Sequence, residues 1–169
     1  MARALLCCMA FLLGLSGALA EPVKRSEGKW QHSARSAIHE VLYTYGEDIV
    51  AIARANGQDP ELATAILITE TLGNPWAKNG EAEGLMQTTP LSDADVRVEC
   101  DSYDPFCSLV KGILYKSVLE KRYGLRGTRK ILAYNIGPSA ARFVEIPEES
   151  SYVTRVLYVK KRIPKKALE

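Results

Sequence analysis

Glu70 stands four residues after Ile66 and eight after Leu62, so the three share one face of a helix. A carboxylate on that apolar stripe, in the last turn before Gly73-Asn74-Pro75, loses hydration and faces the negative end of the helix dipole. Both effects favour the neutral acid, the form that delivers a proton near neutral pH. A glutamate reaching into solvent from the helix end fits the spacing equally well. Two later clusters add polar groups. Gly84-Leu85-Met86-Gln87 is closed by Pro90, and Ala133-Tyr134-Asn135-Ile136-Gly137-Pro138 brings a phenol and an amide. Such groups line polar clefts, but each has a structural reading as well. Met86 is an adaptable core filler, Gln87 a loop amide, and Tyr134-Asn135 the end of a helix.

Helices must position these groups. Ile38, Val41, Leu42, Tyr45, Ile49, Ile52 and Ala53 recur at helical spacing, up to Asn56-Gly57. Asp59 before Pro60 is a helix start, with a cap and a proline in the first turn. The helix that follows carries Glu70. Residues 73–90 read as loop, with a short helix from Ser92 to Val98. Asp104-Pro105 repeats the start signal for a long helix with Phe106, Leu109, Val110, Ile113, Leu114 and Val118 as its stripe, stopped near Gly124. Thr128 caps a helix through Tyr134, and a last helix runs from Ser151 to Pro164 with Tyr152, Val153, Val156 and Leu157 inward. No period-2 strand pattern occurs. The expected architecture is all-α, a single domain over residues 32–164.

The chain has 169 residues, 47% of them hydrophobic, and a net charge of +2. That composition argues against disorder, and the small charge gives no case for nucleic acid. Residues 1–20 read as a secretory signal peptide. Arg3 precedes the apolar run Ala4–Leu13, and Ala18-Leu19-Ala20 is a small-x-small cleavage site. A polar, flexible leader is expected over residues 21–31 and a basic tail over 165–169. Export places the protein in the periplasm, where oxidation makes a disulfide the default for Cys100 and Cys107. The turn-forming residues between them allow it. Two thiols without a nearby histidine do not fill a metal site. His32 and His39 are read as ordinary helix or linker residues.

The order Glu70…Pro75, Gly84-Leu85-Met86-Gln87, Ala133-Tyr134-Asn135-Ile136-Gly137-Pro138 resembles the soluble lytic transglycosylase (SLT) family, whose catalytic domain is goose-type-lysozyme-like. Members carry E-S-x-x-N-P, G-L-M-Q and A-Y-N-x-G-P in that order, often followed by a tyrosine-valine pair such as Tyr152-Val153. The resemblance spans residues 47–158. It implies a lysozyme-like domain that cleaves the β-1,4 bond between N-acetylmuramic acid and N-acetylglucosamine in peptidoglycan strands, with no cofactor and no metal. Glu70 matches the catalytic acid, which would also serve as base for a 1,6-anhydro ring closure. Thr71, Met86, Gln87, Tyr134, Asn135 and Tyr152 match substrate-side positions, with the Tyr134 hydroxyl placed to orient Glu70.

Departures from the family bear on substrate preference. Thr71 replaces a serine, Leu72-Gly73 a glycine-aromatic pair that Trp76 compensates, and Thr88-Thr89 a more apolar pair. Glu81 and Glu83 add charge. The runner-up is a lysozyme-type hydrolase on the same fold, with Glu83 or a nearby acid activating water. A non-catalytic peptidoglycan-binding subunit is a third reading. A further one is a wall-opening component of an envelope-spanning secretion, conjugation or pilus apparatus.

Overall fold

The structure is a computed structural model that describes residues 20–168. Most of the signal-peptide reading, residues 1–19, lies outside the described residues. By its contacts the chain divides into two units, residues 1–33 and 34–169. In the first, residues 20–33 are helical, where a flexible leader was expected over 21–31. They belong to α1 (Ala20–Ala55). Among the described residues no helix is long and apolar enough to cross a membrane.

In the second unit the chain is mainly helical. Ala34, Ala37, Ile38, Val41, Ile49, Ile52 and Ala53 form the buried face of α1. The helix ends at Asn56-Gly57, where Asn56 Nδ2 donates to the Ile52 carbonyl at 2.8 Å. Then comes α2 (Pro60–Thr71), capped by Asp59, whose carboxylate accepts from Glu61 and Leu62 N–H groups. Six consecutive residues of α2, Ala63 to Ile68, are buried. A helix apolar on every side belongs at the centre of its domain, and here it is the element that presents Glu70.

The remaining helices are α3 (Pro90–Val96), α4 (Pro105–Lys121), α5 (Gly127–Ile136), α6 (Pro138–Ala141) and α7 (Ser151–Lys160). α7 packs along α2, α3 lies on α4, and α5 contacts α4, α6 and α7. Short 3-10 turns lie at Pro147–Glu149 and Lys165–Leu168.

Several elements differ from the sequence reading. A two-stranded antiparallel hairpin, β1 (Lys78–Asn79) and β2 (Ala82–Glu83), turns around Gly80. Strands of two residues leave no alternation to detect. α3 starts at Pro90, earlier than Ser92, because Thr89 and Ser92 form a reciprocal capping box. Thr128 does not cap α5; its hydroxyl donates to Glu148. α4 is buried nearly all round, including Lys111, Lys116 and Ser117, while Phe106 is 54% exposed and Leu157 of α7 is also exposed. The basic tail is a turn whose Leu168 is buried and accepts from Arg54 Nη2 at 2.9 Å. Lys165, Lys166 and Ala167 face solvent there.

The Cys100–Cys107 disulfide is present, with Cα atoms 6.1 Å apart. The loop it closes carries Ser102, whose carbonyl presses on Gly84. A Cβ added at Gly84 would sit 1.8 Å from that oxygen, and its φ is +74°. Gly112 of α4 lies against Met86, whose Cβ would be 2.5 Å from an added methyl. Gly112→Ala should therefore destabilise the protein by about 1–3 kcal/mol through overpacking. Gly46→Ala, inside α1 with nothing within 4 Å of its added methyl, should stabilise by up to about 1 kcal/mol. Denaturant unfolding of both variants beside the parent checks the contrast.

Candidate active site

Glu70 lies two residues past the buried run of α2 and is itself only partly exposed. Its Oε1 accepts a 2.5 Å hydrogen bond from the Tyr152 hydroxyl on α7. Two influences act on the carboxyl. Burial disfavours the charged form and raises its pKa; the Tyr152 bond stabilises the charge and lowers it. Burial dominates, and the pKa rises to about 7. Of the two spacing-based readings, the withdrawn carboxyl is the one observed. The Tyr152 phenol is in turn held well above its ordinary pKa by burial and by the Glu70 charge, so it stays a donor.

Tyr134 takes a different position from the one expected. Its hydroxyl donates to the Met86 carbonyl at 2.8 Å, and Tyr152 is the residue bonded to Glu70. Tyr134 still lies near enough for the Glu70 charge to raise its pKa, after burial. Met86 is not a groove wall. Its side chain is fully buried against Gly112, because the segment Gly84–Gln87 lies flat on α4. Its N–H donates to Ser108 Oγ at 3.1 Å.

Thr71 braces the same segment. Its hydroxyl donates to the Leu85 carbonyl at 3.0 Å and lies 3.3 Å from the Leu67 carbonyl. It also accepts from the Gly73 N–H. Gln87 adopts φ +49° and donates through Nε2 to the carbonyls of Ala77 and Gly84, both at 3.0 Å. That leaves its carbonyl oxygen as the side chain's acceptor.

Gln87, Tyr134 and Asn135 do meet, around a cleft of about 220 Å³ whose other walls include Thr88, Leu91 and Tyr115. Glu70 and Tyr152 are not among its walls. Asn135 is exposed. Tyr115 packs edge-on against Tyr134, with centroids 5.6 Å apart.

Glu83 is engaged elsewhere. Lys78 Nζ lies 2.8 Å from its Oε1, and bonds from Lys78 and Tyr103 hold its carboxyl below the ordinary range. Trp76 is 73% exposed and stacks on Tyr103, centroids 6.1 Å apart. His32 and His39 are exposed on α1. Among the described residues no group of three or more His, Cys, Asp or Glu could hold a metal ion.

Sequence reasoning missed the bracing roles of Ser108 and Tyr115, and took Tyr152 only as a substrate-side match. The signal for Tyr152 was its place on the last helix, one residue before the inward Val153; its pairing with Glu70, 82 positions away, is not encoded in local spacing.

Residues 48–150 match the model of the transglycosylase SLT domain. A comparison with curated proteins finds no match. Among solved structures the chain is similar to the lytic transglycosylase Slt of Pseudomonas aeruginosa, determined as an inactive mutant. The TM-score is 0.60 at 20% identity, over 75% of this chain and 26% of that one. This is a likeness of fold, and the chain spans about a quarter of that protein's length.

A carboxyl with a folded pKa near 7 favours the folded state below its ordinary pKa of 4.5. That contribution is lost as pH rises through about 7. At about 1.4 kcal/mol per pKa unit the loss is roughly 3 kcal/mol. Glu70→Gln keeps an acceptor for Tyr152 and has no charge to bury. It should match the parent at pH 4 and exceed its stability by that amount at pH 8, as urea unfolding at the two pH values will show.

Proposed function

The chain belongs to the transglycosylase SLT domain family, and from that premise we propose that it is a peptidoglycan lytic transglycosylase with Glu70 as its catalytic residue. The observation that carries the reading is the Glu70 carboxyl, withdrawn from water with a pKa of about 7. At neutral pH a substantial fraction is protonated and a substantial fraction ionised. A group poised there can give a proton and take one back within a single turnover.

The steps balance without water. Neutral Glu70 donates its proton to the oxygen linking muramic acid to glucosamine, and the bond from the anomeric carbon to that oxygen breaks. The resulting carboxylate, steadied by the Tyr152 hydroxyl, removes the proton from the muramic 6-hydroxyl. That oxygen attacks the anomeric carbon and closes a 1,6-anhydro ring. The nucleophile is already part of the bound substrate, which gives it a high effective concentration.

Burial and Tyr152 account for the shift at Glu70, with no acidic neighbour contributing. A hydrolase of the usual kind needs a second carboxylate across the sugar to activate water. Glu83, its charge tied to Lys78, is a poor candidate for that task. The exposed indole face of Trp76, backed by Tyr103, supplies a surface on which a sugar can stack. The apolar run and cleavage pattern of residues 1–20 support export to the periplasm, where the wall is.

Purified protein acting on isolated sacculi tests the proposal. Mass spectrometry should find 1,6-anhydromuramic ends, which lack the water that hydrolysis adds. Glu70→Gln should lower turnover by at least ~10²-fold while retaining the fold. Near-parental turnover by that variant would sink the assignment of Glu70. Predominantly hydrated ends would replace the transglycosylase reading with a hydrolase.

A further inference from the structure

The loop closed by Cys100 and Cys107 touches the site at two points. Tyr103 stacks on the exposed Trp76, with centroids 6.1 Å apart, and hydrogen-bonds Glu83. Ser102 sets its carbonyl against Gly84 and accepts from Lys111 Nζ at 2.9 Å. The two ends of the loop are held differently. Cys107 is built into the first turn of α4, its N–H donating to the Asp104 carboxylate at 2.7 Å. Val98, Glu99 and Cys100 make no backbone hydrogen bond among the described residues, so the sulfur bridge is what ties this end to α4.

The two sulfurs also differ in access. Cys107 is 4% exposed. Cys100 is exposed and lines a cleft of about 560 Å³ that shares no wall with the Gln87–Asn135 cleft. In it Asp93 and Lys111 pair with each other at 2.8 Å, and Arg97 and Glu99 are exposed. A thiolate is the attacking species in disulfide exchange, and nearby positive charge favours it. Arg97 offers that charge, opposed by Glu99. A displaced Cys107 would leave as a thiolate at the N-terminus of a 17-residue helix, where the dipole stabilises negative charge. The Asp104 carboxylate offsets part of that.

We propose that Cys100–Cys107 is a redox latch on the active site, opened by a dithiol reductant that attacks Cys100 Sγ through this cleft. One thiolate of the reductant bonds to Cys100 Sγ, and the bond to Cys107 Sγ breaks. Cys107 leaves as a thiolate and takes up a proton. The second thiolate of the reductant then displaces Cys100, which is protonated in turn, and the reductant ends as a disulfide. Two electrons have passed to the protein. The freed segment no longer holds Tyr103 to Trp76 or Ser102 to Gly84, and the seat of Gly84–Gln87 loosens. The inference rests on the glycan-cleaving reading and adds a control to that site.

The test starts with brief exposure of the folded protein to reduced glutathione, an acid quench and peptide mass mapping. Glutathione should be found on Cys100, with Cys107 a free thiol. Glutathione on Cys107, or a bond that opens only in denaturant, overturns the proposal. Dithiothreitol should then change the tryptophan fluorescence reversibly, and the change should be absent in Trp76→Phe, which keeps Trp30 as its tryptophan. Turnover on sacculi should fall by about 10- to 100-fold, the scale of a small misplacement in a catalytic site, and recover on reoxidation. The double variant Cys100→Ser, Cys107→Ser should match the reduced protein and ignore dithiothreitol. Parental turnover in the reduced protein overturns the latch. Loss of the helical circular-dichroism signal on reduction also overturns it, making the bond a structural staple. If the oxidised protein leaves sacculi intact, the glycan-cleaving reading falls, and mapping and fluorescence still decide whether the bond is a latch.

Discussion

The close seating of Gly84–Gln87 on α4 is the contact on which the rest of the site depends. It requires two positions without a Cβ, Gly84 against the Ser102 carbonyl and Gly112 against Met86. Once seated, the segment is bonded from three sides: Ser108 to the Met86 N–H, Tyr134 to the Met86 carbonyl, and Thr71 to the Leu85 carbonyl. These bonds tie α2, α4 and α5 to one short stretch of backbone. The disulfide stands behind them, because the loop it closes presents Ser102. The residues around the cleft are thus held by backbone carbonyls and N–H groups more than by side-chain packing alone.

Against that frame Glu70 is balanced between opposing effects. Removal from water pushes its pKa up, and the Tyr152 bond pulls it down. Without burial the carboxyl would be ionised at neutral pH and unable to act as an acid. Without the phenol, its charged form would have one bond fewer to stabilise it. α2 supplies the burial and α7 the phenol, so the packing of these two helices on each other sets the proton affinity of the site.

α4 illustrates how a long helix can be buried on most sides and still carry charge. Lys111 donates to Asp93 at 2.8 Å and to Ser102 at 2.9 Å. Lys116 is almost fully enclosed, and burial followed by the Lys130 charge pushes its pKa down to about 7. The first lysine joins α3 and the disulfide loop to α4. The second lies 3.4 Å from the Asp59 carbonyl, below the start of the helix that carries Glu70. Each of the two lysines is thereby drawn toward an element that shapes the site.

The sequence by itself determined the helices that have caps and long apolar patterns. Asp59-Pro60 and Asp104-Pro105 mark α2 and α4 within the residue, because a carboxylate cap and a first-turn proline are local chemistry. Spacing also aligned Glu70 with Leu62 and Ile66 while leaving open a solvent-reaching carboxylate, and three ordered motifs pointed to the family. Tertiary structure alone decided which groups meet. Met86 went into the core and Tyr152 to Glu70, because those choices depend on how helices far apart in the chain are packed. The β1–β2 hairpin was too short to leave a pattern. The buried lysines of α4 broke the polar-outside rule by finding partners on other elements. The contacts of the Cys100–Cys107 loop with Trp76 and Gly84 could be recognised only once every neighbour around it was in place.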